Sequence, residues 1–349
     1  MKILFTGDTF LMNKEGEFRF DSSILDLFKS HDNVCINLET TVGEGGTKVP
    51  KAYNFQTSPA ALGYAKSAGV TVASVANNHS MDYGSEGFRN TLNNLHENDI
   101  TVIGATDENC YRLLYNEVRC CVSSYFGTGW GISPLQLDKI KADISVNKQD
   151  NDIQIVCLHW GEEYVPIPSP RQQSFAHQLI DSGASVVIGH HPHVMQGYEE
   201  YHNGLIFYSL GNFNFFVDHP WAKRLIETTK SYCVSLEIKD KGKPKFDIIP
   251  ITIDENWKPS VITGPDERKR FFNYFDAISK PLSLSIGFLR YYALAAPHYF
   301  HNHFPSWKKR IKQYGMPHLI QCMKWLVSPI TCVNYAGLVA SLFCKRPKY

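Results

Sequence analysis

Up to Phe213 the chain alternates between short, almost continuously apolar runs and longer amphipathic stretches. The apolar runs are Lys2–Thr6, Val34–Leu38, Val70–Ala76, Ile153–Leu158 and Ser185–Ile188. They are rich in β-branched residues and too short for buried helices, so they predict strands covered on both faces. Between them the pattern predicts helices over Asp21–Lys29, Ser58–Ala68, Ser85–Asn98, Pro134–Ile144 and Ser169–Ser182. The last begins with Ser-Pro and ends at Gly183, both helix boundary signals. Leu205–Leu210, Ser231–Ile238 and Phe246–Ile253 predict further strands, with a turn at Asp240–Pro244. Strands alternating with helices make this an α/β chain.

The five strand-like runs share a way of ending. Each stops at a residue able to ligate a metal: Asp8, Glu39 (with Asn37 before it), Asn77-Asn78-His79, His159, and the crowded His190, His191 and His193. Open α/β sheets build their sites at the C-terminal ends of strands. Carboxylate and amide oxygens mixed with imidazole nitrogens suit Mn, Fe, Zn or Mg rather than a soft thiolate site. Either His190 or His191 could be the ligand. His79 fits proton transfer or oxyanion contact, with Asp82 as a partner to orient its ring. Glu162 and Glu163 fit either substrate contacts or a solvated pair, and Arg171 either an anion contact or a helix-face charge. Phe213, Phe215 and Phe216 read as core or pocket wall.

The segments TGDTF, INLET, VANNHSMDYG, LHWGEEY, VIGHHPHVMQG and YSLGNF occur in this order. With them the chain resembles the CapA-type capsule-synthesis (poly-γ-glutamate biosynthesis) proteins, a branch of the calcineurin-like metallophosphatases. The resemblance implies a four-layer α/β/β/α sandwich and two divalent metal ions. It implies Asp8, Glu39, Asn78, His159, His191 and His193 as metal ligands, with Glu39 bridging. His79 would be catalytic, and Asn77, Glu162 and Arg171 would lie at the substrate. The implied function is a metal-dependent hydrolase of a phosphoester or γ-glutamyl amide bond in capsule or exopolymer production. The alternative is a non-catalytic metal-binding factor that docks a polymer synthase or the membrane surface. Two departures stand out. Asp8-Thr9-Phe10 lacks the histidine of the usual Asp-x-His motif, and Asn37-Leu38-Glu39 replaces an aspartate after glycine. One metal position is therefore expected to be poor in ligands.

Charge changes the picture after Gly264. Of 35 Lys and Arg, 10 fall in residues 277–349, which contain no Asp or Glu. The other 25 share residues 1–276 with all 34 acidic residues, so an acidic body of about −9 joins a basic tail of about +10. This predicts a metal-binding domain over 1–264 and a helical extension over 265–349. The expected partners are an anionic polymer or its precursor and capsule-synthesis machinery. Nucleic acid is disfavoured, because an acidic body repels phosphate backbones. The tail's apolar runs Leu282–Phe300 and Trp325–Cys344 could pack, lie on a membrane or span it. The 9 scattered cysteines read as mostly reduced core residues. Met1-Lys2 leads straight into the first strand without a secretory pattern. A cytoplasmic location, peripheral to the inner leaflet through the tail, is the expectation, although many members of the resembled family carry an N-terminal membrane segment.

Overall fold

The structure is a computed structural model that describes residues 1–51, 53–107, 109–126, 136–215, 226–283, 287–342 and 349. Pro134, Phe216, Cys344 and the Lys345-Arg346 pair, all part of the sequence reading, lie outside these residues.

Two sheets carry the fold. The first runs in the order β16 (Pro259–Val261), β15 (Lys245–Ile253), β14 (Lys230–Glu237), β1 (Lys2–Thr9), β2 (Asn33–Leu38), β5 (Val72–Ser74), β6 (Thr101–Ile103), with β13 (Asn212–Asn214) paired to the end of β1. The second runs β11 (Met195–Tyr201), β12 (Gly204–Leu210), β10 (Val186–His190), β9 (Ile153–His159), β8 (Val118–Phe126), β7 (Cys110–Tyr115). A small parallel pair, β3 (Thr41–Val42) and β4 (Gln56–Thr57), stands apart.

Alternation along the strands explains the layering. Ile3 and Phe5 point between the sheets, as do Ile153, Ile155 and Cys157 from the second sheet. Their neighbours Leu4, Val34 and Ile36 point outward onto α1 (Ser22–Lys29), α2 (Pro59–Ala68) and α3 (Gly84–Glu97). Val156, Leu158 and Val187 point outward onto α4 (Leu137–Asn147) and α5 (Pro170–Asp181). Side chains of period two, buried on both faces, thus give the expected α/β/β/α sandwich. Local signals set the helix ends. Ser58 and Ser169 cap α2 and α5, each followed by proline, and Ser169 with Gln172 forms a capping box.

Three details differ from the sequence reading. The boundary expected at residue 264 runs through packed structure. Phe271, Tyr274, Phe275 and Ile278 of α6 (Pro265–Ser279) enter the core between the sheets. Tyr291, Leu294 and Ala295 of α7 (Phe288–Tyr314) pack with Trp160 and Tyr208 outside the second sheet. Cys110 and Cys121 are disulfide-bonded across β7 and β8, whereas the other described cysteines are free and, except Cys332, buried. Short strands such as β6 and β13 were not foreseen, because three residues carry too little periodicity to detect. The tail continues as α8 (Met316–Leu326) and α9 (Pro329–Ala340). No described helix is long and apolar enough to cross a membrane.

The close approach of β10 to β12 makes a testable point. An ideal Cβ at Gly189 would lie 1.9 Å from the Tyr208 carbonyl oxygen. Gly189→Ala is expected to cost about 3 kcal/mol or more in urea unfolding, since backbone cannot yield as a side chain does. Gly264→Ala, with open space around its Cβ, should cost only about 1 kcal/mol, the loss of a glycine N-cap on α6.

Candidate metal centre

Strand register assembles the site. Asp8 of β1 sits beside Asn37 of β2 on one side and Asn212 of β13 on the other. His159 of β9 sits opposite His190 of β10. Both sheets present these strand ends on the same side, and the loops beyond them meet. Backbone bonds pin the meeting point: Asp8 N–H donates to Gly211 O (2.9 Å), Glu39 N–H to Thr9 O (2.9 Å) and Trp160 N–H to His190 O (3.1 Å).

Glu39 is at the centre. It is fully buried, and neither carboxylate oxygen has a hydrogen-bond partner. Three imidazole nitrogens surround its Oε1: His159 Nε2 at 3.6 Å, His193 Nε2 at 3.8 Å and His79 Nε2 at 4.0 Å. These distances are too long for hydrogen bonds and fit a shared central ion instead. Burial, reinforced by the nearby Asp8 charge, pushes the Glu39 carboxyl well above its ordinary range. Burial and the neighbouring imidazoles hold His159 well below its ordinary value. In the bare chain burial thus works against the charged form of both groups, despite their spacing as ion pairs.

Asp8 behaves oppositely. Burial opposes its charge, but the His193 hydrogen bond and charge, with His190 and Asn37, hold its pKa below the usual value. Asn37 Nδ2 donates to Asp8 Oδ1 (2.8 Å), and His193 Nδ1 lies 3.2 Å from Asp8 Oδ2 and 3.0 Å from Asn212 Oδ1. With Nδ1 held in this way, His193 turns Nε2 toward Glu39, the orientation that a carboxylate partner imposes on a ligating histidine. Asn78 Oδ1 lies 2.8 Å from His159 Nε2, which places an amide oxygen in the same cluster.

The two candidate histidines separate cleanly. His190 is buried, with Nε2 3.0 Å from Thr6 O, so it ties β10 to β1. His191 leaves Nδ1 without a hydrogen-bond partner and groups with Glu39 and His159 on one side and with Glu163 and His193 on the other. Asp8, Glu39 and His193 form a third set of potential ligand atoms, again within 4.8 Å of one another. Glu39 belongs to two of the three sets. His191 (φ 98°) and His193 (φ 56°) both occupy left-handed backbone that non-glycine residues seldom adopt, a strain typical of functional sites.

His79 stands beside the cluster. Its Nδ1 bonds Asp82 Oδ2 at 2.7 Å, so Nε2 faces Glu39. Lys51 pairs with Asp82, donates to Asn78 O (2.8 Å) and lies 3.2 Å from His79 Nδ1. Burial drives the His79 pKa down to about 4, outweighing the help from Asp82. Phe55, its ring centroid 4.3 Å from that of His79, and Phe215, stacked on His193 at 4.6 Å, wall the site. Phe213 instead packs among Phe20 and Phe28 in the outer core.

Three expected substrate contacts fall elsewhere. Asn77 braces its own loop: its Nδ2 donates to Leu38 O (2.8 Å), and its Oδ1 accepts from His79 N–H (3.1 Å) and Ser80 Oγ (2.9 Å). A wholly buried amide spent on three bonds has little left for a ligand. Glu162 is exposed and acts electrostatically on Tyr291 and Tyr292, whereas its neighbour Glu163 faces His191 and His193. Left-handed residues, Gly161 and Tyr164, flank the pair on either side. Arg171 is exposed in the first turn of α5, with no described hydrogen bond or ion pair to the cluster. Sequence reasoning missed Lys51, a lone loop lysine with no motif around it. It also missed Asn212, whose only signal was its place in the YSLGNF segment.

Comparisons with known proteins establish the family. Residues 2–216 match the family model of the bacterial capsule synthesis protein PGA_cap. The chain is 31% identical over 285 residues to the capsule biosynthesis protein CapA of Bacillus anthracis, covering 75% of this chain and 68% of that one. It is 32% identical over 247 residues to the PGA biosynthesis protein CapA of Bacillus subtilis, covering 66% of this chain and 63% of that one. A phosphatase from Mycoplasma pneumoniae superposes with a TM-score of 0.47 at 15% identity, over 78% of this chain and 98% of that one. The NAD nucleotidase of Haemophilus influenzae does so with a TM-score of 0.44 at 13% identity, over 82% of this chain and 56% of that one. The matched span runs from β1 through β13 and contains every residue of the cluster, so the chain belongs to the bacterial capsule synthesis PGA_cap family.

Proposed function

We propose that the chain is a metal-dependent hydrolase acting on a polyglutamate-type capsule polymer or its precursor. The observation that carries this reading is Glu39: a buried carboxylate with both oxygens unpaired, ringed by three imidazoles. Such a group is costly alone and favourable around a cation. Asp8, Glu39, Asn78, His159, His191 and His193 would hold the metal, with Glu163 within reach of His191 and His193. The donors are oxygen and imidazole nitrogen, which fit Mn, Fe, Zn or Mg and leave room for two ions. Bound divalent ions would supply Lewis acidity and a water of lowered pKa.

The chain's own residues do the rest. His79, oriented by Asp82 and Lys51, presents Nε2 to the cluster, where the neutral ring can take a proton from an attacking water and pass it on to a leaving group. The names of the relatives support capsule-type polymer synthesis as the setting. The bond broken is a phosphoester or a γ-glutamyl amide. One observation favours the non-catalytic alternative: Phe10, where a third first-motif ligand would stand, is buried against Phe55 and Phe215 and supplies no donor.

His191→Ala removes a nitrogen that bonds nothing in the bare chain, so the fold should survive while metal affinity falls about tenfold or more, read by metal analysis of the purified protein. His79→Ala should keep the metal and lower turnover about a hundredfold or more on whichever substrate class is active. Equal metal loss in both variants would refute this division of roles. Full metal retention with no turnover of either class by the parent protein would favour the non-catalytic reading.

Glu39 also implies a pH dependence. Its folded pKa is raised, so above the ordinary carboxylate value of about 4.3 the folded metal-free chain keeps a proton that the unfolded chain has lost. Stability from this group is then present at low pH and is lost as pH rises through that window. Asp8, shifted downward, acts below it. His79, His159, His190 and His191, all shifted downward by burial, contribute the opposite slope below their ordinary value of about 6.5. The Glu39 contribution is therefore read as the thermal midpoint of the metal-free parent minus that of Glu39→Gln, a difference expected to fall as pH rises above about 4.3. Added metal should raise the midpoint of the parent and leave that of Glu39→Gln unchanged. An unchanged slope in the variant would count against the assignment.

A further inference from the structure

The last two helices each turn a stripe of apolar residues to water, although α8 also packs Trp325 on Trp307 of α7. α8 exposes Met316, Ile320 and Met323, and Val327 follows in the same stripe at its end. α9 exposes Tyr335, Leu338 and Val339, continued by Leu342. These are helical spacings, so each set forms one continuous face. The inward face of α9 is the polar one: Thr331 and Asn334 are 0% and 2% exposed. Gly337 is buried too, and an ideal Cβ there would lie 2.5 Å from the Tyr292 carbonyl oxygen, which seats α9 against α7. A helix packed on a protein in water does the reverse. Of 13 exposed large apolar side chains among the described residues, nine lie between Leu289 and Leu342. The patch is therefore a feature of the tail and not of the surface at large.

Charge selects what could cover it. Residues 277–349 have ten cations and no carboxylate. Lys312, in the last turn of α7, and Lys324, in the last turn of α8, are exposed. A second copy on this face would bring like charges together, whereas an anionic headgroup layer would meet them with the opposite sign. The helices have 11 and 12 residues, which at about 1.5 Å per residue is well short of a bilayer core of about 30 Å. They are built to lie in an interface.

We propose that α8 and α9 seat this protein on an anionic bilayer surface. The Met316–Val327 and Tyr335–Leu342 stripes enter the boundary between headgroups and acyl chains, and the flanking lysines meet lipid phosphates. This inference is independent of the metal reading, since none of its residues belongs to the cluster.

Co-flotation of the full chain with phosphatidylcholine vesicles, with and without phosphatidylglycerol, tests it. Binding is expected only with the anionic lipid and should weaken as salt is raised. The double variant Ile320→Glu with Val339→Glu alters only exposed side chains. It should keep its circular dichroism and metal content and lose about tenfold or more in vesicle partition. No binding to anionic vesicles, equal binding to both kinds, or full binding by the folded double variant would each overturn the proposal. So would lipid-free self-association that the double variant abolishes in sedimentation velocity, because a second copy would then be the occupant.

Discussion

A carboxylate placed in the protein interior with nothing to hydrogen-bond is the constraint around which the site is arranged. Taking one such charge out of water costs several kcal/mol. Glu39 avoids the cost in the bare chain by holding its proton, as its raised pKa reflects. A cation would reverse that balance, because the same low-dielectric surroundings that penalise a lone charge strengthen a paired one. The neighbours are prepared for that state. His193 is turned by Asp8 and Asn212, and His79 is turned by Asp82, so each aims its Nε2 inward.

The site is divided between the two sheets, and this couples chemistry to stability. Asp8, Glu39 and Asn78 follow strands of the first sheet, whereas His159, His191 and His193 follow strands of the second. The contact between them is the apolar layer of Ile3, Phe5, Ile155, Cys157 and Ile188. It is fastened at the rim by His190 on Thr6 O. A metal bound across this seam would draw the sheets together, so binding free energy would also be folding free energy. Phe271, Tyr274, Phe275 and Ile278 of α6 join the same layer, so the packed body runs past residue 264.

The C-terminal helices obey a different rule. α9 turns Thr331 and Asn334 inward and Leu338 and Val339 outward, an arrangement that hydrophobic burial in water does not favour, and α8 packs Trp325 on Trp307 of α7 while leaving Met316, Ile320 and Met323 exposed. Placed beside an acidic body, a carboxylate-free segment with this inverted face joins the metal cluster to a surface able to hold it near other charged material.

Much of this was legible in the residues. Period-two runs buried on both faces announce central strands, and a strand that stops at a ligand announces a site, because both signals are local. Asp8, Glu39, Asn78, His159 and His193 could be placed together on that basis, with Asp82 as the partner of His79. The helix caps at Ser58 and Ser169 were equally local. What the chain alone could not decide depends on how strands and turns orient neighbouring groups. His190 and His191 differ by one residue and point to opposite sides of a strand end. Glu162 and Glu163 are adjacent, yet only Glu163 groups with His191 and His193. Asn77 looks like a ligand in sequence and is spent on its loop. Lys51 reaches Asp82 only because a loop folds back over it. The tail's composition declared a basic, apolar segment, but which face of each helix meets solvent is set by its seat on α7. Periodicity and residue type are properties of a segment; direction is a property of packing, and it was settled only when the two sheets and the tail came together.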